Sequence, residues 1–249
     1  DDSDLLVGLY MEDKWVFAKG ETRYQGEAVA AVAATTEAIA EEAVSLIEVE
    51  YEVLEPVVGL DKALEADILV HENIAEINHV EGVFFPQPNS NIASLNKSRR
   101  GDLETGFAEA DHILENEFSL PAVAHVPIET HVAIAQYNPF TGRIKIISSA
   151  QSPFALRQML ASTLGIKESD IEVQVPYVGG AFGGKAGIHL EPLICLLSRE
   201  AGGAPVKLKL SREQEFNYMA TRAAMRGKIR TGVKNDGTMV AADIVYDWD

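Results

Sequence analysis

In the stretch VGGAFGGKAGIHLEPLICLLSREAGG (residues 178–203), Gly179, Gly184 and Lys185 stand at the G-x-x-x-x-G-K spacing of a phosphate-wrapping loop. Side-chain-free residues between a strand and a helix admit positive φ and let backbone N–H groups approach an anion, and a helix start adds partial positive charge. A loop that wraps a nucleoside triphosphate also needs Ser or Thr after the lysine to hold Mg²⁺, where this chain has Ala186. An acidic residue at a strand end should complete that metal site, and Asp243 and Asp247 match it only weakly. Phe182 sits in mid-loop, where a ring would fill the space of a triphosphate but would serve as a wall beside a flat heterocycle or a metal centre. Three readings stay open: a loop for a non-nucleotide phosphate or an extended pterin-type ligand, which these residues favour; a nucleotide-binding phosphate loop; and a structural turn in a non-catalytic interaction domain.

The segment HVPIETH places His125, Glu129 and His131 at one parity, so an extended strand would point all three to one face as a possible zinc set. Pro127 interrupts that strand and the spacing is not that of a helical zinc motif, so a polar pair within a buried turn is the favoured reading and no metal ligand is assigned. His71, His79, His112 and His189 carry no spacing signal. The one cysteine, Cys195, lies in the apolar run EPLICLLSRE and is expected to pack in the core, since a single cysteine forms no intrachain disulfide or multi-cysteine metal site.

The elements that position these residues follow from period and punctuation. EAVAAVAA (residues 27–34) predicts a strand, TEAIAEEAVSLI a helix capped by Thr36, and EVEYEVLEPVV a half-buried strand stopped by Pro56. Residues 80–100, rich in Pro, Asn and Ser, predict a linker. Beyond it, HVAIAQYNPFTGRIKIISSAQ predicts a hairpin about residues 138–142, and SPFALRQMLASTLGI a helix from Ser152 to a stop at Gly165. DIEVQVPYV and APVKLKLS read as strands, with a long helix to about Glu200 between them, and GKIRTGVKNDGTMVAADIVYD as a hairpin turning at Asn235-Asp236-Gly237. The fold class is α+β, a mixed α/β chain: a small α/β domain over residues 1–80, a linker over 81–100 and a second domain over 101–249. The last residues read as an interior strand, as expected of a fragment of a longer protein.

The chain has 249 residues, a formal net charge of -17 and 47% apolar residues. That charge argues against a broad nucleic-acid surface, and no apolar run approaches the roughly 18 residues of a membrane span. The opening DDSDLLVGLYMEDKW lacks the basic-then-apolar pattern of a leader, so a soluble cytoplasmic protein is expected.

The segments YQGEAVAAVAATTEAIAEEAVSLIEVEYEVLEPV, GDLETGFAEADHILENEFSLPAVAHVPIETHVAIA, SSAQSPFALRQMLASTLGI and VGGAFGGK, in this order, resemble the large molybdenum-binding chain of the xanthine dehydrogenase and aldehyde oxidase family. The resemblance covers essentially the whole chain, and AQSP together with GGAFGGK is its specific part. It implies the later part of an α/β hammerhead domain up to about residue 80 and the beginning of a molybdenum-cofactor domain from about residue 101. It also implies a glutamine beside the metal centre at Gln151, and a loop approaching the metal and its dithiolene at Gly180, Phe182 and Gly183. The implied cofactor is molybdopterin with molybdenum, often extended by cytosine dinucleotide in bacteria, which carries phosphate without a Mg²⁺-bound triphosphate. The implied reaction is hydroxylation of an aldehyde or nitrogen heterocycle with water-derived oxygen. [2Fe–2S] clusters and FAD are then expected on partner subunits or further segments, since one cysteine cannot ligate them.

Two departures qualify the resemblance. The glutamate base of the family lies in a C-terminal G-x-G-E segment that this sequence lacks, so no catalytic residue is assigned. Purine-hydroxylating members often carry Glu after the loop lysine, where Ala186 stands here.

Overall fold

Thr36 sets the start of helix α1 (Glu37–Ser45) by accepting a hydrogen bond from the Ile39 amide. The computed structural model describes residues 4–8 and 10–249, so residues 1–3 and 9 of the acidic opening lie outside the described residues. Ahead of α1, strands β1 (Leu6–Val7) and β2 (Lys14–Trp15) pair antiparallel, and helix α2 (Leu60–Glu65) follows it. Next come α3 (Leu103–Ala108), β3 (His112–Leu120), β4 (Val132–Tyr137), β5 (Ile144–Ser148) and α4 (Pro153–Leu164). The remaining elements are β6 (Ile171–Gln174), α5 (Glu191–Glu200), β7 (Val206–Lys209), α6 (Arg212–Tyr218), β8 (Met225–Val233) and β9 (Met239–Trp248). Among the described residues no helix is long and apolar enough to cross a membrane.

The chain divides into two compact units, the first made of residues 1–55, 76–83 and 125–220. Its sheet runs β6-β5-β4-β7, with β5 and β6 parallel and the other pairs antiparallel. Alternation along β4 and β5 turns Ala133, Ala135, Ile144 and Ile146 into the core, where they meet Leu156 and Leu160 of α4 and Ile194 of α5. The β4–β5 turn falls at the expected Asn138–Gly142 segment, where Gly142 takes φ 71°. Helix α4 begins after Ser152 with Pro153 in its first turn and ends at Gly165, which takes φ 64°. Cys195 is buried in this core, and burial pushes its thiol well above the ordinary range.

The second unit comprises residues 56–75, 84–124 and 221–249 and holds the antiparallel sheet β3-β8-β9. The β8–β9 hairpin turns through Asn235-Asp236-Gly237, with Gly237 at φ 88°. One face of this sheet carries cross-strand ion pairs, Glu115 with Arg230 at 3.0 Å and Glu117 with Lys228 at 3.2 Å. Helix α3 lies close on β9, because a side chain at Gly106 would come 2.6 Å from the Val240 carbonyl oxygen.

Two expected strands do not form. Residues 27–34 and 48–58 have no ladder partner, and Val53 and Val58 are exposed. A strand needs a neighbour that supplies a run of such hydrogen bonds; Ala28 accepts one, from the Ala18 amide at 2.7 Å, and no ladder forms along either segment. The helix after the glycine loop is also shorter than expected: α5 starts at Glu191, six positions beyond Lys185, with Pro192 in its first turn. Its N-terminus therefore does not open onto the loop.

Candidate functional site

The glycine loop follows β6 and is held from three sides within the first unit. On the first side stands Gln151, three residues beyond the end of β5. Its Oε1 accepts hydrogen bonds from the Gly183 and Lys185 amides, each at 3.1 Å, and its own amide donates to the Lys185 carbonyl at 2.8 Å. Backbone amides only donate, so they fix which end of the carboxamide faces the loop. Nε2 is left pointing away from it, with no partner among the described residues. Gln151 is exposed, so its two N–H bonds are available to a ligand.

On the second side Glu129 reaches the loop. Its Oε2 accepts from the Gly179 amide at 2.9 Å and from Lys185 Nζ at 2.8 Å, and the Glu129 amide donates to the Gly179 carbonyl at 3.2 Å. Burial opposes ionisation of Glu129, but the bonds from Lys185 and Gly179 outweigh it and hold the carboxyl below its ordinary 4.5. The Lys185 side chain is wholly buried. A carboxylate of the protein itself thus takes the amide and the ammonium that a triphosphate would need. This corrects the nucleotide-loop reading: the lysine is spent internally, and the N-terminus of α5 is filled by Glu191, which accepts from Ser148 Oγ at 2.7 Å and from the His189 amide at 2.9 Å.

The third side is His131, whose Nε2 lies 3.0 Å from the Gly184 carbonyl oxygen and whose Nδ1 lies 2.9 Å from Glu215 Oε1. A capping box between Ser211 and Gln214 sets the first turn of α6 and so the place of Glu215. Leu210 donates to the His131 carbonyl at 2.9 Å, which brings that helix start beside the histidine. The ring of His189 stands edge-on to His131 at 5.0 Å. Its Nε2 is buried without a partner, and burial first, then the charges of His131 and Lys14, push it down to about 3.

His125, Glu129 and His131 do not share a face. Val126 takes φ 46°, which breaks the extended run, and Glu129 and His131 turn to different partners. Among the described residues no group of three or more His, Cys, Asp or Glu is arranged to hold a metal ion. His125 instead backs the loop: a side chain at Gly184 would come 2.9 Å from its ring.

The outer rim of the loop is open. Gly180 and Gly183 take φ 97° and 96°, conformations that suit glycine, and Phe182 at φ 54° is 73% exposed. The Phe182 ring lies over Gly180, at 3.3 Å from where a side chain would begin. The amides of Gly180, Ala181 and Phe182 have no partner among the described residues, unlike those of Gly179, Gly183 and Lys185. The structure therefore brings Gln151, Gly180, Phe182 and Gly183 to one edge, with N–H donors and an aromatic face turned outward. Sequence reasoning missed Glu215, which lies 84 positions from His131 in a helix whose sequence REQEFNY carries no site signal.

Residues 84–248 match the model of the molybdopterin cofactor-binding domain, and residues 4–55 that of the aldehyde oxidase and xanthine dehydrogenase a/b hammerhead domain. A curated relative, the probable hypoxanthine oxidase XdhD of Escherichia coli (strain K12), is 34% identical over 94% of this chain and 26% of its own length. Among solved structures, quinoline 2-oxidoreductase from Pseudomonas putida 86 superposes with a TM-score of 0.81 at 33% identity, over 99% of this chain and 31% of that one. Aldehyde oxidoreductase from Desulfovibrio gigas gives a TM-score of 0.81 at 25% identity, over 99% of this chain and 26% of that one. The chain thus spans about a quarter to a third of the length of these relatives. With the cofactor-domain model matched over two thirds of its residues and the hammerhead model ahead of it, this chain belongs to the molybdenum-dependent aldehyde oxidase and xanthine dehydrogenase family.

Proposed function

We propose that the chain is part of a molybdenum hydroxylase that oxidises an aldehyde or a nitrogen heterocycle with water-derived oxygen, and that Gln151, Gly180, Phe182 and Gly183 form one wall of its molybdopterin site. The observation that carries this reading is the oriented carboxamide of Gln151. With Oε1 held by the Gly183 and Lys185 amides, its Nε2 faces outward as a fixed pair of donors that would hold an acceptor atom of the bound cofactor. When bound, the cofactor supplies the oxidising metal centre and the oxygen atom delivered to the substrate. The free amides of Gly180, Ala181 and Phe182 suit electronegative atoms of the cofactor, and the exposed Phe182 ring screens that edge from water.

In this reading residues 1–80 are a partial hammerhead domain, 81–100 a linker, and 101–249 the N-terminal part of the cofactor domain. The cofactor is molybdopterin with molybdenum, in its plain or its cytosine dinucleotide form, with [2Fe–2S] clusters and FAD carried by partner subunits or further segments. Ala186, exposed after the loop lysine, offers no carboxylate to a purine and tilts the substrate class away from xanthine.

Gln151→Glu in the complete enzyme tests the proposal. The carboxylate still accepts from Gly183 and Lys185, but no donor remains on the outer side. Molybdenum and pterin content should stay at wild-type level while turnover falls about 10²- to 10³-fold. Unchanged turnover at full molybdenum occupancy would remove Gln151 from the site, and absence of molybdenum from the purified protein would sink the whole reading.

A further inference from the structure

His131 grips the loop through a contact whose proton count is informative. Its Nε2 faces the Gly184 carbonyl at 3.0 Å, its Nδ1 faces Glu215 Oε1 at 2.9 Å, and its backbone amide donates to Glu215 Oε2 at 2.9 Å. A carbonyl oxygen only accepts, so Nε2 must carry a proton. A neutral imidazole has one proton, which would leave the Nδ1 lone pair against a carboxylate oxygen. Both contacts bond only if the His131–Glu215 pair holds a second proton, drawn most simply as an imidazolium beside a carboxylate. The two side chains are 6% and 5% exposed, so water does not stand in for the missing hydrogen bond.

Glu215 faces the ring from α6, the Gly184 carbonyl faces it from the loop, and His189 approaches edge-on ahead of α5. Burial lowers His189, to about 3, so its ring brings no charge of its own to the pair. Two other charged groups nearby have their own partners: Lys185 pairs with Glu129, and Glu191 accepts from Ser148 and the His189 amide. Lys207 and Lys209 of β7 and Glu213 of α6 stand on the adjoining elements.

We infer that His131 is a positioning residue for the loop: the proton shared with Glu215 locks the Gly184 carbonyl, and through it the Gly183 and Lys185 amides that orient Gln151, and loss of that proton unlocks them. As pH rises and the proton leaves, one of the two ring contacts turns from a hydrogen bond into a repulsion between lone pairs. The importance of this lock for turnover rests on the reading of residues 179–185 as the cofactor wall, but the lock itself is tested without the cofactor.

The test is hydrogen exchange by mass spectrometry on the intact protein, following peptides across residues 183–187, with rates divided by the intrinsic chemical rate at each pH. As pH is raised across the range in which the protein stays folded, protection in the wild type should fall by about tenfold or more. In Glu215→Gln the new amide donates to Nδ1 and its oxygen accepts from the His131 amide, so neutral His131 keeps its Nε2–H on Gly184. Protection in that variant should be flat over the same range. His131→Phe should be unprotected there at every pH while β4 and β5 stay protected, and if it fails to fold, the Glu215→Gln comparison still decides. A flat wild-type profile, or the same fall in Glu215→Gln, overturns the inference and leaves the cofactor reading untouched. Absence of molybdenum from the protein would do the reverse.

Discussion

Glu129 and Lys185, 56 positions apart, meet at 2.8 Å with the lysine side chain wholly buried and the glutamate partly open to solvent. The same carboxylate oxygen accepts from Gly179, so one acidic side chain closes the loop at both ends of its glycine run. This arrangement explains how a phosphate-loop spacing arises without a nucleoside triphosphate: the lysine and the first amide hold the loop's own shape.

Removing one partner of this pair should cost more than removing both. Glu129→Ala leaves Lys185 buried without a counter-charge, an arrangement that costs about 3–5 kcal/mol. Glu129→Ala combined with Lys185→Met replaces the ammonium by an apolar group of similar volume and should recover more than half of that loss. Thermal unfolding of the intact protein checks the order, and a double variant no more stable than Glu129→Ala would rule out the buried charge as the cause. The acid side follows the sign of the shift. Glu129 sits below its ordinary 4.5 in the folded protein, so its contribution is present above that value and is lost as pH falls through the folded one.

The loop's backbone should fail locally. Gly183 takes φ 96° with its nearest neighbour, His125 Nε2, 3.7 Å from where a side chain would begin, so Gly183→Ala meets no clash but does meet backbone strain. That strain, about 1–3 kcal/mol, is relieved by rearranging residues 179–185 rather than the sheet. Hydrogen exchange across the loop should rise about tenfold, while the melting temperature changes by less than about 4 °C. Global loss of protection in β4 and β5 would show instead that the loop is part of the folding core.

Much of this arrangement could be read ahead because it is encoded locally. Pro153 and Gly165 bracket α4, Asn138–Gly142 and Asn235-Asp236-Gly237 mark two turns, and Gln151 and the glycine loop stand out by residue type. What escaped is set by partners distant in sequence. The alternating residues 48–58 satisfy a strand pattern but find no neighbouring ladder, and nothing within such a segment reports whether a neighbour exists. Glu215 was invisible for the same reason, since a buried glutamate on a short helix declares itself only when His131 is brought against it. The glycine spacing itself misled about the helix, because Pro192 and Glu191 place the start of α5 six positions further on.

Lys14 gives a prediction on the alkaline side. It lies on β2 with its Nζ 4.1 Å from the centre of the Tyr218 ring and 5.2 Å from that of Tyr24. Burial pushes the ammonium from its ordinary 10.5 to about 8, against the pull of Glu27 and Asp13. Between those two values the unfolded chain binds the proton and the folded one does not, so stability rises with pH from about 8 to about 10.5. Below about pH 8 both states are charged and the cost of burying the cation, about 3 kcal/mol for such a shift, is fully present. Contact with the two rings returns about 1–2 kcal/mol. Lys14→Met should therefore raise stability at neutral pH by about 1 kcal/mol and abolish the alkaline rise. Denaturant unfolding of the intact protein across that range reads both effects. Lys14→Arg, which stays charged throughout, should lose the rise without the gain, and a rise that survives in both variants would trace it to another group.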